Sequence, residues 1–155
     1  MRQTEFRGKR IDGVDWVYGS YLRVGFEGSL EPVAHIMENQ ILSGGVYNVI
    51  PNSIGQWVGA FSNNGIGVYE GDIITINHFK FDNTIIDIEH IGVIEYSDDL
   101  AAFVLDRILP KVRGGNCGYK GRHTEPLSAF APLDKAVIKV VGNMTDCPWI
   151  YNEIK

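Results

Sequence analysis

The sequence predicts a mainly β protein, with α+β as the alternative, and three observations carry the prediction. Glycine supplies 18 of 155 residues, well above average usage. β-Branched and aromatic residues, which suit a pleated half-buried surface, are plentiful. Short apolar runs end at turn signals at intervals of about ten residues, the spacing of a small barrel or sandwich. The expected architecture is a small open β-barrel over residues 1–105. Residues 106–155 form a C-terminal extension packed on the same domain. A chain of this length buries roughly two-thirds of its extended surface, so one core forms without metal or disulfide staples.

The elements follow in order. Trp16, Tyr18, Ser20, Leu22 and Val24 alternate with Val17, Gly19, Tyr21 and Arg23, which reads as a strand opened by an Asp12-Gly13 turn. Pro32 to Ile36 and Val46 to Ile50 are further strands, separated by Gly44-Gly45. Gln56 to Phe61 and Ile66 to Tyr69 flank Asn63-Asn64-Gly65, a hairpin turn because Asn and Gly tolerate positive φ. Gly71 lets the chain reverse into Asp72 to Ile76. Thr84 to Tyr96 is the longest β-type run. Ile91 and Val93 are out of phase with Ile86 and Ile88, so a bulge or break is expected near Glu89-His90.

Ser97 to Leu109 reads two ways. Ser97 caps a helix with Asp98 and Asp99 in its first turn, and Leu100, Phe103, Val104 and Ile108 share a helical face. Ala101 to Leu105 also reads as a buried strand after a turn. Periodicity alone slightly favours helix. Residues 110–126 are a Gly-rich loop from Pro110 to Pro126. Leu127 to Phe130 and Ala136 to Val141 are closing strands, and residues 142–155 are a tail that docks as a short helix.

Net charge is −5, which argues against a wholly electrostatic nucleic-acid binder. The charge is unevenly placed. Residues 1–10 carry +3, residues 11–106 carry −12 and residues 107–155 carry +4. Such asymmetry predicts separate basic and acidic zones. No apolar run approaches membrane-spanning length, and residues 1–10 lack the apolar segment of a signal peptide. Cys117 and Cys147 make neither a disulfide framework nor a zinc pattern, so reduced thiols and a cytoplasmic setting are expected.

The motifs that carry chemistry are mostly absent. There is no P-loop, zinc helix or nucleophile elbow. His35, His78, His90 and His123 are widely spread, so no metal site and no cofactor are expected. Glu70-Gly71-Asp72 places two carboxylates around a glycine. A tight turn, with Asp72 accepting from nearby backbone N–H groups, explains them better than acid–base work. Cys117 and His123 share a loop, but nothing near them supplies an orienting group or an oxyanion hole. Trp16, Trp57 and Trp149 read as core aromatics before ligand platforms.

Two surfaces remain. The first is the loop with Lys111, Arg113, Tyr119, Lys120 and Arg122, where no acid lies between Asp106 and Glu125. Glycines allow close approach to phosphate and Tyr119 offers a stacking face, a composition suited to nucleic acid. Arg7, Lys9 and Arg10 extend it if they lie nearby. The second is an acidic centre of Asp82, Asp87, Glu89, Glu95, Asp98 and Asp99, suited to a basic protein or to the basic arms of sister subunits in a homo-oligomer.

Several segments together resemble the YopX-like proteins of phages and prophages. They are Phe6-Arg7-Gly8-Lys9-Arg10 with Trp16-Val17-Tyr18-Gly19, then Val49-Ile50-Pro51, Gly55-Gln56 and Gly59. Asn64-Gly65 with Tyr69-Glu70-Gly71-Asp72-Ile73 follows, then Gly92-Val93-Ile94-Glu95 and Val140-Val141-Gly142-Asn143. The ordered set spans almost the whole chain. The Ser62 to Gly67 hairpin lacks the family's charges, and the tail from Met144 to Trp149 matches loosely. The resemblance implies a mainly β phage or prophage protein of the bacterial cytoplasm, without enzymatic activity or catalytic residues. It also implies a strand at Ala101 to Leu105. The run from Gly71 to Tyr96 is similar to SH3-like small barrels, which bears on fold and not on function. The expected role is a non-enzymatic accessory protein that binds nucleic acid or a host or phage protein, with no membrane partner.

Overall fold

The computed structural model describes residues 4–13, 15–25, 33–38, 44–79, 85–112, 124–130 and 137–154; over 77–79, 85–89, 107–112, 130, 151, 153 and 154 it describes the backbone alone. The protein is mainly β, with two antiparallel sheets. The chain divides into two compact units, Met1–Trp57 and Val58–Lys155.

The first unit holds β1 (Phe6–Lys9), β2 (Trp16–Val24), β3 (Val33–Met37), β4 (Val46–Asn48) and the start of β5 (Gly55–Phe61), in the order β4-β3-β2-β1-β5. The alternation read over Trp16 to Val24 is the basis of this sheet. Val17 and Tyr21 fall on its inner face and pack with Ala34, Ile36, Val49, Phe6, Tyr47 and Ile54. Ile36 and Val49 are fully buried, each contributing about 1.5–3 kcal/mol by the area it removes from water. Gly19 sits where β3 ends its pairing. A Cβ there would stand 2.0 Å from the Met37 carbonyl oxygen, so only glycine fits.

A single 3-10 turn, Pro51–Ser53, ties this sheet back on itself. The Ser53 hydroxyl accepts from the Lys9 N–H at 2.8 Å and donates to the Ile50 carbonyl at 2.6 Å. The Ile50 N–H donates to the Lys9 carbonyl, and the Ile11 N–H to the Asn48 carbonyl. The end of β1 is thereby paired with the segment after β4, yet the strand order stays linear and the described residues close no barrel.

The second unit continues β5 and adds β6 (Gly67–Tyr69), β7 (Asp72–Phe79), β8 (Ile85–Ser97), β9 (Ala102–Val112), β10 (Thr124–Pro126), a 3-10 turn (Leu127–Phe130), β11 (Val137–Asn143) and α1 (Pro148–Ile154). Its sheet runs β10-β9-β8-β7-β11. One face packs Ile74, Ile76, Ile94, Phe103, Leu105 and Ile138 with Ala60, Val68 and Leu127. The other packs Ile73 and Val93 against Ile91, Met144 and Ile150. The tail therefore docks as a short helix and covers a sheet face. Asn143 turns the chain into it, its Oδ1 accepting from the N–H groups of Thr145 and Asp146.

Two turns match their sequence logic. At Tyr69 to Asp72, Gly71 has φ +81° and the Asp72 carboxylate accepts from the Tyr69 N–H at 2.9 Å. The Asn63 turn does more than reverse the chain. Its N–H donates to the Ile138 carbonyl at 3.0 Å, and its Oδ1 accepts from the Ile138 N–H at 2.6 Å. Asn63 thus occupies an open stretch of the β11 edge, which would otherwise be a template for foreign strands.

Two expectations need correction, and two are met. Of the two readings of Ser97 to Leu109, the strand after a turn is the one that forms: Ser97 pairs with Ala102 across the turn, and β9 continues to Val112. Phe103, Val104, Leu105 and Asp106 are all buried, so both faces of the strand are covered. A two-sided strand gives an unbroken apolar run that a helical template also fits. Ser97 still behaves as a cap would, its hydroxyl accepting from the Leu100 N–H at 3.3 Å, but for a single turn. Both ends of the loop expected over 110–126 are strand: Pro110 to Val112 end β9 and Thr124 to Pro126 form β10. Leu127 to Phe130 is a 3-10 turn and not a strand, because Leu127 reaches the core while Ser128 and Ala129 stay exposed. The irregularity expected near Glu89-His90 is present as two register shifts that flank it, one where Asn77 pairs with Glu89 but Phe79 with Ile85, the other between Ile91 and Val93 along β8. Ile91 and Val93 looked out of phase because they serve the second apolar face.

Candidate interaction surface

The basic residues near the start of the chain are engaged within their own unit. Arg7 is buried, and its guanidinium lies 4.7 Å from the centroid of the Trp16 ring. Arg10 lies 4.9 Å from the Tyr47 ring centroid and grips Asp12 with both ends of its fork, at 2.8 and 2.7 Å. Those hydrogen bonds raise the Arg10 pKa and hold Asp12 below the usual carboxylate range. Lys9 donates its backbone N–H to Ser53, and its side chain is half-exposed. Arg113, Tyr119, Lys120 and Arg122 lie outside the described residues, as do Asp82, Cys117 and His123.

Lys111 stands on β9 directly opposite Glu89 on β8. A member of the basic set and a member of the acidic set thus share one rung. The acidic residues are strung along β8 and do not gather. Asp87 and Glu95 are eight residues apart, about 26 Å along a strand. Asp98 and Asp99 are exposed at the turn beyond, and Glu95 is half-buried. Of the carboxylate pair, Asp72 is committed to its own turn. Among the described residues no three His, Cys, Asp or Glu side chains stand close enough to hold a metal ion. No helix among them is long and apolar enough to cross a membrane.

The sheet of the first unit presents a surface that the motif reading passed over. Residues opposite one another in an antiparallel pair share a face. The pairs Leu22–His35–Asn48, Ser20–Met37–Val46 and Val24–Val33 therefore all point away from the core formed by Val17, Ile36 and Val49. Trp16 and Tyr18 continue that outer face along β2. Six of its large apolar side chains, Tyr18, Leu22, Val24, Val33, Met37 and Val46, are between 36% and 59% exposed. His35 stands among them with its Nδ1 out of reach of solvent and without a hydrogen-bond partner among the described residues.

A sheet with one wet face normally alternates apolar-in with polar-out. Here the outward positions of β2, β3 and β4 are Trp16, Tyr18, Ser20, Leu22, Val24, Val33, His35, Met37, Val46 and Asn48. None of these ten is an acid, a lysine or an arginine; the cations of this face are Arg7 and Lys9 on β1, opposite Tyr18 and Trp16. That absence was visible in the sequence, since Trp16 to Val24 is apolar at both parities for most of its length. No protein-family model matches the chain, and no curated protein matches it.

Proposed function

We propose that this chain is a non-enzymatic interaction module that docks to another protein surface through the outer face of β2, β3 and β4. One observation carries the reading: six large apolar side chains share that face and remain 36–59% exposed. Together they leave roughly 500 Å² of apolar surface in water, within the range where patches on monomers are often functional. The ordered segments shared with YopX-like proteins support a place among phage or prophage accessory proteins.

Nucleic acid is the less favoured ligand. Phosphate binding is driven by cations that exchange counterions, and Arg7 and Arg10 already stack on rings or pair with Asp12. The test is fluorescence anisotropy of labelled single- and double-stranded DNA and RNA, at about 50 and about 200 mM salt. The expected outcome is no saturable, salt-sensitive binding at the lower salt. Tight binding that weakens steeply with salt would overturn the reading and return attention to Lys111, Arg113, Tyr119, Lys120 and Arg122.

A further inference from the structure

We propose that the occupant of this outer face is a second copy of the same chain, packed sheet to sheet as a two-fold dimer. The inference rests on the reading of the face as a contact surface and adds the partner's identity.

The chemistry of the face selects the partner. Its ten outward positions on β2, β3 and β4 carry no carboxylate, ammonium or guanidinium group. Cations share the face only on β1, where Arg7 opposes Tyr18 and is buried against Trp16, and Lys9 opposes Trp16. Over β2, β3 and β4 a nucleic acid, an acidic peptide or a basic peptide would each bring charges that nothing there answers. What covers such a face best is another uncharged apolar sheet. Side chains two apart on neighbouring strands, as Leu22 and Val24 are on β2 and Val33 and Met37 flank His35 on β3, interdigitate with those of a like sheet about 10 Å away.

Charge placement fits a two-fold arrangement. The nearest cations on this face, Arg7 and Lys9, lie on β1, the strand beside β2, and β4 is the edge on the other side of the patch. A two-fold axis parallel to the strands sets β1 of each copy at the β4 edge of the other. The cations are then kept apart, and each residue of the patch meets the same patch. The area is sufficient. Roughly 500 Å² from each copy gives about 1,000 Å² in total, at the lower bound of specific interfaces. A dimer with a dissociation constant in the micromolar range is expected.

The experiment is sedimentation equilibrium of the full chain from about 1 to about 200 μM, with Leu22→Lys and Val33→Lys as variants and Ile11→Lys as the control. Ile11 is exposed and lies outside the three strands. Both positions on the face are exposed, so each variant should keep the wild-type circular dichroism spectrum. The expected result is a monomer–dimer equilibrium that each face variant weakens at least ten-fold and the control leaves unchanged. A dimer indifferent to both variants overturns the proposal, because another surface holds it. A wild-type monomer at the highest concentration also overturns it, and dye binding then separates the two readings. If a hydrophobic dye binds the monomer and the face variants abolish that binding, the face is open for a different partner and only the second copy fails. If dye binding is absent or indifferent to the variants, the contact surface fails as well.

Discussion

The two units handle the same problem in opposite ways. Strands apolar at both parities need two covers, one for each face of the sheet. The second unit provides both. One face of its sheet packs with Ala60, Val68 and Leu127, and the other lies under Met144 and Ile150 of the tail. The first unit provides one. Its inner face closes over Ile36 and Val49, while Tyr18, Leu22, Val24, Val33, Met37 and Val46 on the outer face stay exposed. The difference teaches where to look for function. A sheet that its own tail covers is finished, whereas an uncovered apolar sheet invites a partner.

The comparison breaks most sharply at paired substitutions, one on each second face. Ile73 is fully buried under the tail, and Leu22 is 38% exposed. Ile73→Ala is expected to lose about 2–5 kcal/mol in urea unfolding, the range for emptying a core site. Leu22→Ala, measured at a concentration low enough to keep the chain monomeric, is expected to lose less than about 1 kcal/mol, as half-exposed sites do. Equal losses would mean that the outer face is covered within the molecule, and the contrast between the units would disappear.

Sheet edges sharpen it further. Asn63 holds both main-chain groups of Ile138 on β11. Asn63→Ala removes the side-chain half of that cap and leaves a buried N–H unpaired, at a cost of about 1–2 kcal/mol. Amide exchange at Ile138 should speed up accordingly, while exchange in β2 and β3 is unchanged. Asn63→Asp keeps the acceptor oxygen and should recover most of the loss.

Much of this was legible in the sequence, and what was not has a physical cause. The strands around Asn63-Asn64-Gly65 and Gly71 were readable because turn chemistry is local. The helix-or-strand ambiguity over Ser97 to Leu109 arose because burial on both sides erases the period that separates the two. Asn63 as an edge cap was invisible, since its partner Ile138 is 75 residues away. The outer face was encoded in the residue types at Tyr18, Leu22, Val33 and Met37, but recognising it needed the register that sets them side by side. The charge zones were legible as totals, yet that Lys111 faces Glu89 across a rung could be known only from the pairing.

The turn between β8 and β9 offers a gain in place of a loss. Ala101 has φ +48°, in the left-handed region where a Cβ meets the neighbouring carbonyl. Its N–H donates to the Asp98 carbonyl at 3.2 Å, so the turn needs that conformation. Ala101→Gly relieves the strain and is expected to stabilise the second unit by up to about 1 kcal/mol, read from the urea midpoint. A loss would mean that the turn carries no strain at this residue.

The smallest effect belongs to the first unit and to its most visible ion pair. Arg10 and Asp12 lie in water, so screening leaves their pairing little weight in stability. Its pH signature is still readable. The Arg10 fork holds the Asp12 pKa below its unfolded value of about 3.9. A depressed carboxylate adds stability that is present above the unfolded pKa and lost as pH falls through the folded one. The thermal midpoint of the wild type should therefore lie slightly above that of Asp12→Asn from pH 5 to 7, and the two should converge below about pH 3. A gap that persists in acid would assign the role of Asp12 to the turn itself, through hydrogen bonds that Asn reproduces poorly, and not to its charge.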